Sequence, residues 1–232
     1  MNLLPIWKKD ELNFNNCSCF PNIIRSIICG ASSSGKTTFL LNLLINDCKK
    51  CKREYLQFDK LIFISPSLTN QTSYKIITKC FEEGFSKEAI RSIFRIQEKI
   101  TDIDKLIKDL KNDPDLILKN KIEVQTYDDI EKLPEIKTLA IKNKRVVVII
   151  DDSMLANNNN AKNLFVYGRP LNISSWYLSQ NYSQIDKRSI RDNVNFFIFF
   201  KTSEQNLRHI YRNVASDIFS FDEFLKYVIF AG

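Results

Sequence analysis

The stretch GASSSGKT, residues 30–37, decides the fold, because it matches the pattern G-x-x-x-x-G-K-[ST]. It follows a β-branched run at residues 22–29 and precedes residues 36–47, where apolar residues recur at helical spacing. A loop bounded by glycines between a strand and a helix turns its backbone amides toward one point, at the positive end of the helix. The sequence therefore predicts a phosphate-binding P-loop.

Each residue of this loop has an expected role. Lys36 should reach the β- and γ-phosphates of a nucleotide, and the Thr37 hydroxyl should ligate magnesium. Ser34 stands where a further glycine often occurs, so the turn should be stiffer without losing its amides. The other predicted nucleotide-binding residues line the loop and the start of the helix: Gly30, Ala31, Ser32, Ser33, Gly35 and Thr38.

A carboxylate at the end of a neighbouring strand should complete the site, and VVVIIDD at residues 146–152 supplies two. An unbroken apolar run is typical of a strand buried on both faces. Asp151 would hold magnesium through water, and Asp152 would orient or deprotonate the attacking water. The alternative is an Asp pair that only starts a turn.

A third polar residue follows the predicted strand at 173–179. The Gln180 amide would contact both the lytic water and the γ-phosphate if this strand lies beside the P-loop strand. A glutamine that only ends a strand is the alternative.

Strands and helices alternate along the chain, which predicts an α/β fold with a mostly parallel central sheet and helices on both faces. Further strands are expected at 60–65, 122–126 and 195–201, helices at 86–111, 128–142, 160–167 and 204–214, and a last helix or strand through 227–230. No linker divides the 232 residues into balanced halves. We expect one P-loop ATPase domain over 1–232, with an N-terminal extension at 1–20 and a helical insertion at 68–120.

The net charge of +7 is concentrated in clusters that suit a polyanion, although a solvated basic surface is the alternative. The N-terminal apolar run is too short for a signal peptide and the other apolar stretches are strand-sized, so we expect a soluble intracellular protein. The six cysteines then indicate reduced thiols. A zinc site made by Cys17, Cys19, Cys48 and Cys51 is the less favoured alternative. The clusters are Lys49, Lys50, Lys52 and Arg53; Lys142, Lys144 and Arg145; and Lys187, Arg188 and Arg191.

Several nucleotide-binding classes lack support in this sequence. No Asn-Lys-x-Asp signature for guanine is present, and no arginine-rich lid of the kind found in small-molecule kinases is evident. A strand between the P-loop strand and the strand before Asp151, with Gln180 after it, fits motor-type ATPases better.

An ordered set of motifs resembles the poxvirus-type genome-packaging ATPases of large DNA viruses, virophages and polinton-like elements, within the FtsK–HerA superfamily. The set covers about residues 20–202 and comprises GASSSGKT at 30–37, FDKLIFISPS at 58–67, VVVIIDD at 146–152, FVYGRPLNIS at 165–174, LSQNY at 178–182 and SIRDN at 189–193. This resemblance implies a RecA/FtsK-like fold of the ASCE type that binds ATP and Mg²⁺.

The resemblance also implies partners and a place in the cell. Such ATPases form homo-oligomeric rings, either hexamers or pentamers, that pull double-stranded DNA into a preformed capsid. They act in the host cytoplasm or a virus factory, or in association with the virion. No membrane is involved. Arg169 matches the arginine placed near the neighbouring subunit's nucleotide, with Arg188 and Arg191 as rivals. Pro170, and Asp152 in place of a glutamate, depart from the family pattern.

The leading hypothesis is therefore an ATP-hydrolysing translocase of double-stranded DNA that packages a viral or mobile-element genome. A nucleotide-binding regulator or scaffold of a DNA-associated assembly, without motor activity, is the main alternative. A small-molecule or nucleoside kinase is a third.

Overall fold

A six-stranded sheet forms the centre of the protein. The computed structural model describes residues 20–97, 100, 102–117, 121–151 and 159–229. The sequence of strands is β1 (Arg25–Cys29), β2 (Asp47–Cys48), β3 (Arg53–Glu54), β4 (Lys60–Ile64), β5 (Glu123–Tyr127), β6 (Val146–Asp151), β7 (Ile173–Ser179) and β8 (Phe196–Phe199). The sheet order is β5-β4-β6-β7-β1-β8, and every neighbouring pair in it is parallel, whereas β2 and β3 form a separate antiparallel hairpin. The predicted parallel sheet is confirmed.

Helices cover both faces of this sheet, as predicted. They are α1 (Lys36–Ile45), α2 (Thr72–Glu83), α3 (Lys87–Arg95), α4 (Ile103–Leu110), α5 (Ile136–Leu139), α6 (Asn159–Tyr167), α7 (Glu204–Val214) and α8 (Phe221–Ile229). Helices α1 to α4 contribute to the apolar core on one face, and α5 to α8 contribute to the core on the other. Alternate residues of β1 enter the two cores, Ile28 the first and Ile27 the second. Burial on both faces explains why the central strands are apolar throughout.

The strand order brings the predicted site motifs to one edge. Strand β7 lies between the P-loop strand β1 and strand β6, which ends at Asp151. In a parallel sheet all carboxyl ends lie at the same edge, which we call the carboxyl edge, and the opposite side is the amino edge. The sequence-based expectation of one strand between the two motifs is confirmed.

The helix predicted over 128–142 is wrong. The structure has a short 3₁₀ turn at Ile130–Lys132 and the one-turn helix α5. Pro134 separates them, because a proline disfavours helical backbone at the preceding residue, and Leu133 is accordingly extended with ψ 128°. Asp129 still caps the first turn, since its side chain accepts a hydrogen bond from the Glu131 amide at 2.9 Å.

The chain between β4 and β5 forms helices α2, α3 and α4. The last two lie within the helical stretch predicted at 86–111, while α2 was not identified individually. Both begin at residues that cap them: the Ser86 side chain accepts from the Ala89 amide, and the Asp102 side chain accepts from the Lys105 amide. None of the helices in the described ranges combines the length and apolarity that crossing a bilayer requires.

Candidate nucleotide site

The P-loop joins β1 to α1 at the carboxyl edge. Ser33 and Gly35 have positive φ angles, 58° and 93°, so the loop turns back on itself before the helix begins. Gly35 is the N-cap residue of α1 and no side chain caps this end. The first-turn amides of α1 therefore remain directed at a ligand, in the arrangement that binds phosphate.

The base of the loop is held by the ends of two neighbouring strands. The Gly30 amide donates to the Ser179 carbonyl and the Ala31 amide donates to the Lys201 carbonyl, both at 3.1 Å. A Cβ atom on Gly30 would lie 2.5 Å from the Cβ of Phe200, too close for any side chain without movement. Glycine is therefore required at Gly30 by packing.

Lys36 lies within the loop. Its ammonium donates to the carbonyls of Gly30 at 2.9 Å and Ala31 at 2.8 Å, and the residue is only 8% exposed. The Cys29 thiol lies nearby, and burial raises its pKa to about 11 even though the Lys36 charge opposes the shift. Cys29 is therefore a neutral thiol at neutral pH.

Thr37 and Asp151 come together although they are 114 residues apart in sequence. The Thr37 hydroxyl donates to Asp151 Oδ2 at 3.0 Å, and Asp151 is 6% exposed. A hydroxyl that gives its proton to a carboxylate keeps its lone pairs, and oxygen ligands of this kind fit magnesium, which is held by few protein ligands together with phosphates and water. No group of three or more His, Cys, Asp or Glu suited to a metal occurs among the described residues. The oxygen pair lies where the magnesium site was predicted, and magnesium binding there stays a prediction.

Tyr74 is a member of the site that the sequence analysis missed. It lies on α2, is fully buried, and its hydroxyl donates to the same Oδ2 of Asp151. The apolar spacing of Tyr74, Ile77 and Phe81 indicates a helix, but no sequence signal shows which residue a buried hydroxyl will meet.

Gln180 lies at the same edge, between the two motifs. In the sheet register Leu178 is opposite Asp151 and Ser179 is opposite Cys29, so Gln180 follows directly where the P-loop begins on one side and the acidic strand ends on the other. Its side chain is exposed. This is the position that the sensor prediction requires, and the role itself stays a prediction.

Arg169, predicted as a catalytic residue, does not lie at this edge. Arg169 precedes β7 and therefore lies at the amino edge, where it is exposed. There it neighbours Arg25, whose pKa is lowered by burial and by the Arg169 charge. Of the rivals, Arg188 is exposed, whereas the Arg191 guanidinium lies 5.1 Å from the centre of the Tyr182 ring of its own chain.

Some predicted site residues lie outside what can be described. Asp152 is outside the described residues, as are Cys17 and Cys19. Cys48 is buried in β2 and Cys51 is half-buried in the turn after it.

Ala31, Ser32, Ser33 and Thr38 are exposed around the loop, as ligand-contacting positions of an open site should be.

Comparisons with known structures identify the fold. The chain is similar to the genome packaging NTPase B204 from Sulfolobus turreted icosahedral virus 2. The complex of that protein with AMP matches with a TM-score of 0.51 at 13% identity, over 88% of each chain. Its complex with ATP-γS matches with a TM-score of 0.50 at 13% identity, over 88% of this chain and 87% of that one. At this level of identity the similarity shows the fold, an α/β P-loop NTPase.

The family follows from a different comparison. No curated protein sequence gives a significant match. The family model described as Poxvirus A32 protein matches residues 99–223, more than half of the chain, and this range includes Asp151, Arg169 and Gln180. The resemblance to poxvirus-type packaging ATPases is thereby confirmed, and the chain belongs to the Poxvirus A32 protein family.

Proposed function

We propose that this protein is an ATP-hydrolysing motor that moves double-stranded DNA into a viral or mobile-element capsid. The observation that carries the proposal is the meeting of Lys36, Thr37 and Asp151 at one edge of the sheet, with the loop amides uncapped beside them. Membership of the A32 family supports the packaging role. The similarity to the packaging NTPase B204, solved with AMP and with ATP-γS, supports nucleotide binding.

The residues divide the chemistry between them. The loop amides and Lys36 bind the β- and γ-phosphates, and Thr37 and Asp151 would hold magnesium. Magnesium bound with ATP would neutralise charge on the phosphate oxygens. Asp152 takes the proton of the attacking water or orients that water, and Gln180 contacts the water and the γ-phosphate. Phosphoryl transfer needs mainly such positioning and charge stabilisation.

In a ring of subunits, a neighbouring subunit would supply the arginine that the nucleotide site of one chain lacks. Arg169 lies at the amino edge, away from the phosphate loop of its own chain. An arginine so placed serves hydrolysis by entering the nucleotide site of a neighbouring subunit, where it stabilises charge on the transferring phosphoryl group. ATP hydrolysis would then depend on ring assembly. A motor whose subunits hydrolyse ATP one after another requires such a dependence.

The hairpin β2–β3 (residues 47–54), which we call the basic hairpin, is the surface that we expect to contact DNA. Its acidic residues face α3: Glu54 pairs with Lys87 at 3.0 Å and Asp47 pairs with Arg91 at 3.3 Å. Its four cations are exposed and form no ion pair within the described part of the chain; they are Lys49, Lys50, Lys52 and Arg53. Unpaired exposed cations of this kind bind phosphates without reading sequence.

The decisive test measures ATP turnover with and without long double-stranded DNA, together with electron microscopy of the protein mixed with ATP and DNA. We expect rings, turnover stimulated by DNA, and loss of turnover in Asp152→Asn. Tight ATP binding with no turnover that responds to DNA would contradict the motor and favour the scaffold. Turnover that depends on a small phosphate acceptor instead of DNA would identify a kinase.

A further inference from the structure

Tyr74 brings a helix outside the nucleotide-binding motifs into contact with the metal site. Its hydroxyl donates to Asp151 Oδ2, the same oxygen that accepts from Thr37 at 3.0 Å. Two hydroxyl donors, from α1 and from α2, therefore converge on one carboxylate oxygen. The carboxylate is fixed from two sides before any ligand arrives.

The position of the Tyr74 ring does not depend on this hydrogen bond. The ring packs edge-on against Phe63 of β4, with centroids 5.4 Å apart and planes at 62°. The helix continues past it, and Thr78 donates to the Tyr74 carbonyl at 2.8 Å. A phenylalanine would fill the same space. The hydroxyl is thus the part of the residue that packing does not require, and a buried hydroxyl is costly unless it is bonded.

We propose that Tyr74 is a positioning residue for the metal-binding carboxylate. By donating to Oδ2, it holds Asp151 in the orientation that faces Thr37, so that the carboxylate meets magnesium without first having to rotate. Residues that orient a metal ligand commonly change metal affinity without touching the metal. The proposal rests on the proposed function, because it assumes that ATP binds here together with magnesium.

Tyr74→Phe removes only the hydroxyl, and Tyr211→Phe is the matched control. The Tyr211 hydroxyl is also used within the protein, since it donates to the Phe219 carbonyl at 2.8 Å, but it belongs to α7 and lies outside the nucleotide site. The readout is the affinity for a fluorescent ATP analogue, titrated with and without Mg²⁺. We expect Tyr74→Phe to reduce the tightening caused by Mg²⁺ by roughly tenfold, with binding in the absence of Mg²⁺ unchanged. Tyr211→Phe should match the wild type in both.

A second pair of variants separates positioning from stability. In an Asp151→Asn background, adding Tyr74→Phe should change the effect of Mg²⁺ no further, because the carboxylate it positions is already gone. An unchanged Mg²⁺ effect in Tyr74→Phe alone would overturn the proposal. Failure of Tyr74→Phe to fold would also overturn it, since the hydroxyl would then serve stability.

The outcomes also separate this proposal from the proposed function. Wild-type protein that binds ATP more tightly with Mg²⁺ but does not hydrolyse it would refute the motor and leave the role of Tyr74 standing. Wild-type binding that is indifferent to Mg²⁺ would refute the role of Tyr74. DNA-stimulated turnover combined with an unchanged Mg²⁺ effect in Tyr74→Phe would refute only the role of Tyr74.

Discussion

Candidate functional side chains at the two edges of the sheet differ in burial: Lys36 and Asp151 at the carboxyl edge are buried, whereas Arg169 at the amino edge is exposed. At the carboxyl edge, Lys36 and Asp151 are 8% and 6% exposed and are hydrogen-bonded within the chain. At the amino edge, Arg169 is exposed. The basic hairpin belongs to this side too, because it follows α1, which runs back across the sheet from the P-loop, and precedes β4.

This contrast separates chemistry that one chain can assemble from chemistry that needs a partner. Buried polar groups must be satisfied inside the protein, so their geometry is fixed before ligand binding. Exposed cations are solvated, and they gain a defined geometry only when an anion reaches them. The carboxyl edge is therefore suited to binding nucleotide, and contact of the amino edge with a neighbouring subunit and with DNA stays a proposal.

The largest expected effect is at the carboxyl edge. Lys36→Ala removes the only loop side chain predicted to reach the β- and γ-phosphates, so ATP turnover should fall by roughly a thousandfold or more. Turnover measured at saturating ATP and nucleotide affinity measured by titration provide the check. Lys105→Ala, on the exposed side of α4, is the control and should retain wild-type turnover. Comparable turnover in both variants would mean that the loop is not the phosphate site.

Arg169 tests whether the amino edge acts on another subunit. Arg169→Ala should lower turnover by about a thousandfold in assembled rings, with nucleotide affinity nearly unchanged. Mixing Arg169→Ala with Lys36→Ala should restore part of the turnover, because an intact site then forms between an intact phosphate loop of one subunit and an intact arginine of the next. Arg188→Ala and Arg191→Ala, studied in parallel, identify the residue if Arg169 is dispensable. No recovery on mixing would contradict action between subunits.

Sequence alone was sufficient for most of the carboxyl edge. The P-loop, Asp151 and Gln180 follow strands whose apolar patterns are clear, and the parallel order of those strands brings their ends together. Tyr74 could not be predicted, because its contact depends on how α2 packs against β4 and β6. The helix predicted at 128–142 failed for a local reason: Pro134 outweighs the apolar spacing on either side of it.

The amino edge was less accessible to prediction for a physical reason. Nothing in the spacing of Lys49, Lys50, Lys52 and Arg53 shows that their acidic neighbours pair with α3, which leaves the four cations facing solvent. Likewise, the motif that contains Arg169 indicates a catalytic arginine, but it does not show at which edge of the sheet that arginine lies. Exposed side chains are weakly constrained by their own chain, so one sequence alone does not show what they contact.

The basic hairpin offers a smaller and more graded test. Changing Lys49, Lys50, Lys52 and Arg53 together to glutamine should weaken DNA binding and flatten its salt dependence, since each lost phosphate contact reduces the slope of log K against log salt by about 0.9. ATP turnover without DNA should not change. A variant with Lys75, Lys105, Lys108 and Lys226 changed to glutamine has the same net charge and is the control. Equal loss of DNA binding in both variants would show that net charge alone, without this hairpin, determines DNA binding.

The smallest expected effect concerns Arg145, a cation at the amino edge that is hydrogen-bonded within its own chain. Asp59 accepts from the Arg145 backbone amide at 2.9 Å and from its Nε at 3.1 Å, joining the starts of β4 and β6. Burial alone would raise the pKa of Asp59, but these hydrogen bonds from Arg145 outweigh it and lower the pKa. Asp59→Asn should reduce the free energy of unfolding at pH 7 by about 1 kcal/mol, a modest value because the pair is partly solvated.

The sign of the pH dependence follows from the direction of that shift. A carboxyl whose pKa is lower in the folded than in the unfolded state stabilises the fold above its unfolded pKa of about 4, and this contribution is lost as the pH falls through the folded pKa. The difference in unfolding free energy between wild type and Asp59→Asn should therefore shrink as the pH is lowered below about 4 in urea titrations. Asp109→Asn, on the exposed side of α4, should differ little from wild type at either pH. A difference for Asp59→Asn that does not change with pH would mean that this pair contributes packing instead of charge.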